Sequence, residues 1–233
     1  MRQVQTGEKI VVSGKYVIDA TELGDLLPLT GTDYVKGFES QAETGEPSAP
    51  SEAQPENQQA VSICFAVDHV DGNHVIDKPK NYDEWRAVQP DFWGGPLIGF
   101  KAPHPRTLEI VERSFTPNPD DNPLWTFRRI AARRNFTPGA YASDICLVNW
   151  PMIDYFEAPI IDCTEDKYAH RLSRAAELSY SVFYWLQTEA PRVDGGQGFP
   201  GLRLRGDVTG TEHGLAMAPY IRESRRIRAV TTI

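Results

Sequence analysis

Between Pro219 and Arg228 the chain packs Arg222-Glu223-Ser224-Arg225-Arg226, three guanidinium groups within five residues. A guanidinium is a planar fork of N–H donors that meets a carboxylate or phosphate through two parallel hydrogen bonds. Such a cluster can hold an anionic ligand or stabilise negative charge that develops during a reaction. In an extended strand Arg222, Ser224 and Arg226 share one face, while Glu223 and Arg225 share the other. One face is then available to pair internally and the other to meet a ligand. A solvated edge whose charges pair within the chain is an equal reading of the same residues. Arg222 and Arg226 are the candidate catalytic residues.

A second stretch, Gly196-Gln197-Gly198-Phe199-Pro200-Gly201, is literally G-x-G-x-x-G. The dinucleotide fingerprint needs a strand before it and a helix after it, so that the helix N-terminus faces the pyrophosphate. Here a helical pattern precedes the glycines and an alternating, strand-like run comes after them, so the motif reads as a glycine-rich connection. The third stretch is Tyr16–Pro28. It opens on β-branched Val17 and Ile18 and breaks at Asp19-Ala20-Thr21, small residues that let another group approach the backbone. Gly24 and Pro28 punctuate the turn beyond that break. Open α/β sheets place their ligands beyond the carboxyl end of such a strand.

Metal chemistry finds no support: His69, His74, His104, His170 and His213 show no ligand spacing. The cysteines, Cys64, Cys146 and Cys163, lie far apart without a C-x-x-C, which suits a reduced chain better than a disulfide scaffold. Cys64 and Cys146 sit in apolar runs and read as small buried hydrophobes. Local basic clusters, Arg128-Arg129 with Arg133-Arg134 and Arg222 to Arg228, read as anion sites or solvated faces.

The elements that must position these residues are set by periodicity. Ile10–Val12 and Tyr16–Ile18, joined by Ser13-Gly14-Lys15, predict a hairpin or two neighbouring strands. Residues 39–59, rich in Glu, Gln, Ser, Pro and Ala, predict a long exposed loop. Ala60–Val67, Leu97–Phe100, Leu124–Ala132, Ser143–Trp150 and Leu202–Arg205 read as strands, with a short helix around Tyr82–Val88 and a loop at Asn118–Asn122. Ile221–Val230 is left open between strand and helix. From Glu165 to Thr188, Leu172, Ala175, Ala176, Ser179, Val182, Phe183 and Leu186 recur at three- and four-residue steps, the stripe of an amphipathic helix. Thr164 is its N-cap and Pro191 lies beyond its end. The five tryptophans read as packing rather than base-stacking platforms.

Across 233 residues, 40% hydrophobic and 24% charged, the composition is that of an ordinary globular protein. The net charge of −8 argues against a general nucleic-acid binder. No apolar run approaches the roughly 20 residues of a membrane span, and the N-terminus lacks a signal-peptide core. The expected localisation is cytoplasmic.

Lys15 to Pro28 resembles the late strand of the flavin domain in glutathione-reductase-type flavoproteins, where an apolar run ends in Ala-Thr-Gly near the cofactor. The fuller resemblance is to a bacterial family of FAD-dependent oxidoreductases. It runs through Glu39–Pro47, Trp185–Pro191, Asp194-Gly195-Gly196 to Asp207, and Pro219–Ile227, and so covers nearly the whole chain. The fold class it implies is α+β or α/β: part of a Rossmann-type FAD-binding domain plus an inserted mixed β-sheet substrate domain with one long helix. Residues 1–38 would be flavin domain, 39–59 an exposed loop, 60–218 the insertion and 219–233 the return. Ala20, Thr21, Glu22 and Gly24 are then the cofactor-binding candidates, with Glu22 standing where the superfamily has Gly. The cofactor is FAD and the partner a small-molecule substrate. The chain lacks the family's N-terminal GxGxxG unit and its later Gly-Asp flavin segment. It therefore resembles an internal fragment, expected to be inactive and to bind FAD weakly or not at all when alone. A noncatalytic binding domain of the same ancestry is the alternative.

Overall fold

Residues 165–188 form the helix the stripe predicts. Thr164 caps it, its side chain accepting the Lys167 N–H, and Glu165 and Asp166 occupy the first turn. Ala175, Ser179, Val182, Phe183 and Leu186 are buried, as are Leu178 and Trp185 beside them. Each large apolar side chain in that stripe contributes about 1.5–3 kcal/mol relative to exposure.

The computed structural model describes residues 2–3, 5–104, 106–116 and 123–228. In chain order its elements begin with α1 (Leu26–Thr30), β1 (Tyr34–Val35), α2 (Gln41–Thr44), β2 (Val61–Ser62), β3 (Phe65–His69) and α3 (Tyr82–Ala87). They continue with β4 (Lys101–Pro103), β5 (Ile110–Glu112), α4 (Pro123–Phe127), β6 (Arg129–Ala131), β7 (Ile145–Val148) and β8 (Asp154–Tyr155). Last come α5 (Glu165–Thr188), β9 (Leu202–Leu204), α6 (Gly206–Thr209) and β10 (Arg226–Ile227). The chain divides into two compact units, Met1–Asn57 with Glu223–Ile233, and Gln58–Arg222. No helix among the described residues is long and apolar enough to cross a membrane.

The larger unit is built on a four-stranded antiparallel sheet in the order β6-β7-β3-β9. Phe65 lies opposite Val148 and Asp68 opposite Arg203. Helix α5 packs against α3 and against the β2–β8 pair, and Phe183 meets Phe65 edge to face at 5.7 Å between ring centroids. Asp68, fully buried, accepts two hydrogen bonds from Arg203 and one from Arg205, so its charge is compensated within the sheet. All five tryptophans are buried. In the smaller unit β1 pairs with β10, Tyr34 opposite Ile227 and Val35 opposite Arg226.

Several expectations are corrected. Residues 10–12 and 16–18 form no strand; Val11, Val12, Val17 and Ile18 are exposed. Local preference suits a strand, but among the described residues no neighbouring strand completes its hydrogen-bond ladder. Leu124–Ala132 is not one strand: α4 turns Leu124 and Trp125 into the core before β6 begins. Leu97–Phe100 is irregular, and β4 starts at Lys101. Within 39–59 most residues are exposed, yet Ser40 and Glu43 form a reciprocal capping box for α2, and Phe38 bridges to Gln54. Local hydrogen bonds order this stretch without an apolar core. The loop expected at Asn118–Asn122 and the end of Ile221–Val230 lie outside the described residues. The architecture is α+β with small antiparallel sheets. Every strand pair among the described residues is antiparallel, whereas the expected Rossmann part requires parallel βαβ pairing.

Candidate functional site

A cleft of about 580 Å³ opens within the larger unit. The β4–β5 hairpin supplies one wall, its register setting Ala102 opposite Val111, and both residues line the cleft. Helix α4 supplies Leu124, while its neighbour Trp125 packs on Phe115. Trp150 and Met152 form the apolar floor, with Trp150 held against Phe115 at 5.5 Å between centroids. Into this largely apolar surface project Arg113, Arg128 and Arg222, with Asp154 the single carboxylate among the described residues that line it.

Arg222 is clamped. Its Nη1 donates to Ala60 O at 2.9 Å and to Ser62 Oγ at 3.0 Å. Its Nη2 donates to Asp154 Oδ1 at 3.0 Å and to Asn149 Oδ1 at 3.3 Å. Ser62 Oγ also donates to Asp154, and the guanidinium lies 4.7 Å from the Tyr220 ring centroid. The β2–β8 pairing, Ser62 opposite Asp154, brings these two residues together. Burial pushes the Asp154 carboxyl above its ordinary value, and the charge of Arg222 with the Ser62 hydroxyl opposes that rise.

Arg128 differs. Its guanidinium lies 5.0 Å from the Phe127 ring centroid, and its Nε is buried without a hydrogen-bond partner. Nε1 of Trp150 is likewise buried and unpartnered. Cys64 and Cys146 are buried thiols pushed up to about 11 and about 12 by desolvation. A smaller cleft of about 360 Å³ lies beside His69, Arg192, Asp194 and the glycine loop. Burial lowers the pKa of His69.

The remaining sequence candidates lie in the smaller unit. Arg226 donates to Glu223 Oε1 and to Gly37 O, both at 2.6 Å. The expected alternation of faces is not realised, because strand β10 begins only at Arg226. In the Ala20–Gly24 turn, Asp19 accepts the Thr21 N–H, the Thr21 hydroxyl and the Leu26 N–H, and Thr21 Oγ1 accepts the Asp25 N–H. Glu22 is exposed. Gly24, at φ 66°, leaves room for Arg225, whose backbone oxygen lies 2.9 Å from where a Cβ would stand. Arg225 donates its N–H to Leu23 O.

An FAD pyrophosphate needs free backbone N–H groups at a helix N-terminus. The turn at 19–26 has committed the N–H groups of Thr21, Gly24, Asp25 and Leu26 internally. The G-x-G-x-x-G loop leads into β9, and its glycines make room for protein: a Cβ on Gly198 would stand 2.5 Å from Gln187 O, and one on Gly201 2.2 Å from Val70 O. Neither of these two segments therefore offers a helix N-terminus of free N–H groups to the pyrophosphate of FAD.

Arg113, Asn149 and Asp154 were absent from the sequence-level candidates, and Arg128 was present only within a basic cluster. Asn149 and Asp154 adjoin an apolar strand that draws attention to packing, and nothing local marks them as partners of Arg222.

Residues 1–233 match the family described as FAD dependent oxidoreductase. No curated protein and no solved structure gives a match.

Proposed function

The chain belongs to the FAD-dependent oxidoreductase family, and from that premise we propose that residues 58–222 are its substrate-holding part, taking a small organic molecule into the cleft lined by Trp150. The cleft carries this reading. Its volume falls within the range of about 300–1,000 Å³ common to small-molecule sites, and it has apolar walls with a few convergent polar groups. When bound, FAD supplies the redox chemistry of the family. The groups of this chain bind and orient: the aromatic wall takes up apolar surface, and the guanidinium groups meet negative charge. Arg222, the catalytic candidate, is bonded to Asp154, Ser62, Asn149 and Ala60, and its proposed part is to position the polar end of the cleft. Arg226, already bonded to Glu223 and Gly37, contributes to holding the smaller unit. Ala20, Thr21, Glu22 and Gly24 are not proposed as a pyrophosphate cradle.

The internally bonded N–H groups of Gly24, Asp25 and Leu26 and the protein contacts of Gly198 and Gly201 favour a second reading, a binding domain of the same ancestry that does no chemistry itself. Purified protein, its visible flavin absorbance recorded before and after incubation with excess FAD and desalting, tests the assignment. We expect no stoichiometric flavin to be retained; retention would overturn the purely substrate-holding role. Substrate-dependent reduction of a dye acceptor with FAD supplied in excess supports the oxidoreductase reading. Small-molecule binding with no turnover across a substrate panel supports the noncatalytic one.

A further inference from the structure

We propose that the cleft recognises an organic monocarboxylate on an apolar or aromatic body, held by the guanidinium groups of Arg113 and Arg128. This deepens the substrate-holding reading above and rests on it only for the ligand's being a substrate.

The first argument is charge. The chain carries 32 acidic and 24 basic side chains, so carboxylate partners are abundant, and most arginines of the larger unit have one. Arg129 pairs with Asp144 at 2.9 Å, Arg203 with Asp68 at 2.7 Å, and Arg174 with Glu157 at 3.0 Å. Arg113 and Arg128 have none among the described residues, and both line the same cleft. Asp154, the cleft's one carboxylate among the described residues, is matched by Arg222 at 3.0 Å, so among those residues Arg113 and Arg128 give the lining an excess of positive charge.

The second argument is satisfaction of donors. Buried polar groups are nearly always hydrogen-bonded, and each exception asks for an explanation. Arg128 Nε and Trp150 Nε1 are both buried and unpartnered, and both residues line this cleft. An anionic oxygen acceptor is the complement that a guanidinium and an indole N–H share, since neither accepts a hydrogen bond.

The third argument is the wall. Phe100, Leu124, Trp150 and Met152 present apolar surface, where each further negative charge costs more desolvation. A monoanion with an apolar body fits this better than a dianionic phosphate, and the flat guanidinium fork matches a carboxylate with two hydrogen bonds.

Calorimetric titration of the whole chain, without flavin, tests this with 2-naphthoate and the neutral 2-naphthamide as probes. Naphthoate should bind at least about tenfold more tightly than the amide, the share expected of a charge-assisted hydrogen bond. Arg128→Gln and, separately, Arg113→Gln should each weaken naphthoate about tenfold and leave the amide unchanged. Arg113 is exposed, so its substitution decides the matter should Arg128→Gln fail to fold. Equal affinity for the two probes, no binding of naphthoate, or unchanged naphthoate affinity in the folded variants would overturn the proposal. Because binding is read without flavin, retained carboxylate selectivity beside absent turnover would count against the oxidoreductase reading alone.

Discussion

Arg222 and Asp154 meet at 3.0 Å, Nη2 to Oδ1, with about a quarter of either side chain exposed, 26% and 21%. The same guanidinium also holds Ala60 O, Ser62 Oγ and Asn149 Oδ1, so one side chain ties together strands that the sequence separates widely. Arg222→Ala leaves Asp154 without its cation. Exposed pairs are worth about 0–1 kcal/mol, and breaking a fully buried one costs about 3–5 kcal/mol. A loss of about 2 kcal/mol in urea unfolding is expected for this intermediate case. Arg222→Lys should recover less than half, because an ammonium cannot bridge the sites that two Nη atoms reach. A midpoint unchanged in the alanine variant would mean the clamp carries no stability.

Asp154 also sets a pH dependence. Burial raises its folded pKa above 3.8, against the pull of Arg222 and Ser62. Between 3.8 and the raised value the folded state therefore holds a proton that the unfolded state has released. Stability from this group is greatest below that window and declines as pH rises through it. Asp154→Asn removes the decline. The variant's stability relative to the parent should thus rise from pH 3.8 upward, tracked by urea midpoints across mildly acidic buffers. A relative stability that falls with pH over that window would reverse the assignment.

How much the sequence made legible depends on the range of the interactions. The stripe on α5 is local, repeating every three or four residues, and its burial is a direct consequence. The strands around Phe65, Cys146 and Leu204 are local too, and β3, β7 and β9 bear them out. The runs at 10–12 and 16–18 carry the same β-branched signal, yet strand formation needs a partner that no local pattern reveals. The clamp on Arg222 was illegible for the reverse reason. Ser62 lies 160 residues away in sequence and Asp154 68, and only the β2–β8 register joins them. Alternation set Arg222, Ser224 and Arg226 on one face, but strand β10 begins only at Arg226.

Thiol reactivity should rank by burial. Cys64 and Cys146, pushed up to about 11 and about 12, hold almost no thiolate at neutral pH and lie inside the core. Cys163 is half-buried. Mass spectrometry after brief treatment with iodoacetamide under native conditions should find Cys163 modified first, and the other two only once the protein is unfolded in urea. Early modification of Cys146 would contradict the packing of β7.

The glycine loop should answer to stability rather than to nucleotide. Gly198 has φ 69°, in the left-handed region, and an added Cβ would stand 2.5 Å from Gln187 O and 2.8 Å from the Thr188 carbonyl carbon. These are backbone atoms at the end of α5, fixed because the Gly198 N–H donates to Ala190 O and the Phe199 N–H to Leu186 O. Neither side can yield without breaking the loop's attachment to the helix. Gly195, at φ 82°, has nothing within 4 Å of the same point, so it isolates the conformational part of the cost. Gly195→Ala should lose about 1 kcal/mol from the left-handed backbone alone. Gly198→Ala adds the clash and should lose roughly 3 kcal/mol or more, read as a shift in urea midpoint. If the two variants unfold alike, the loop is not wedged against α5, and its glycines would again be open to a ligand.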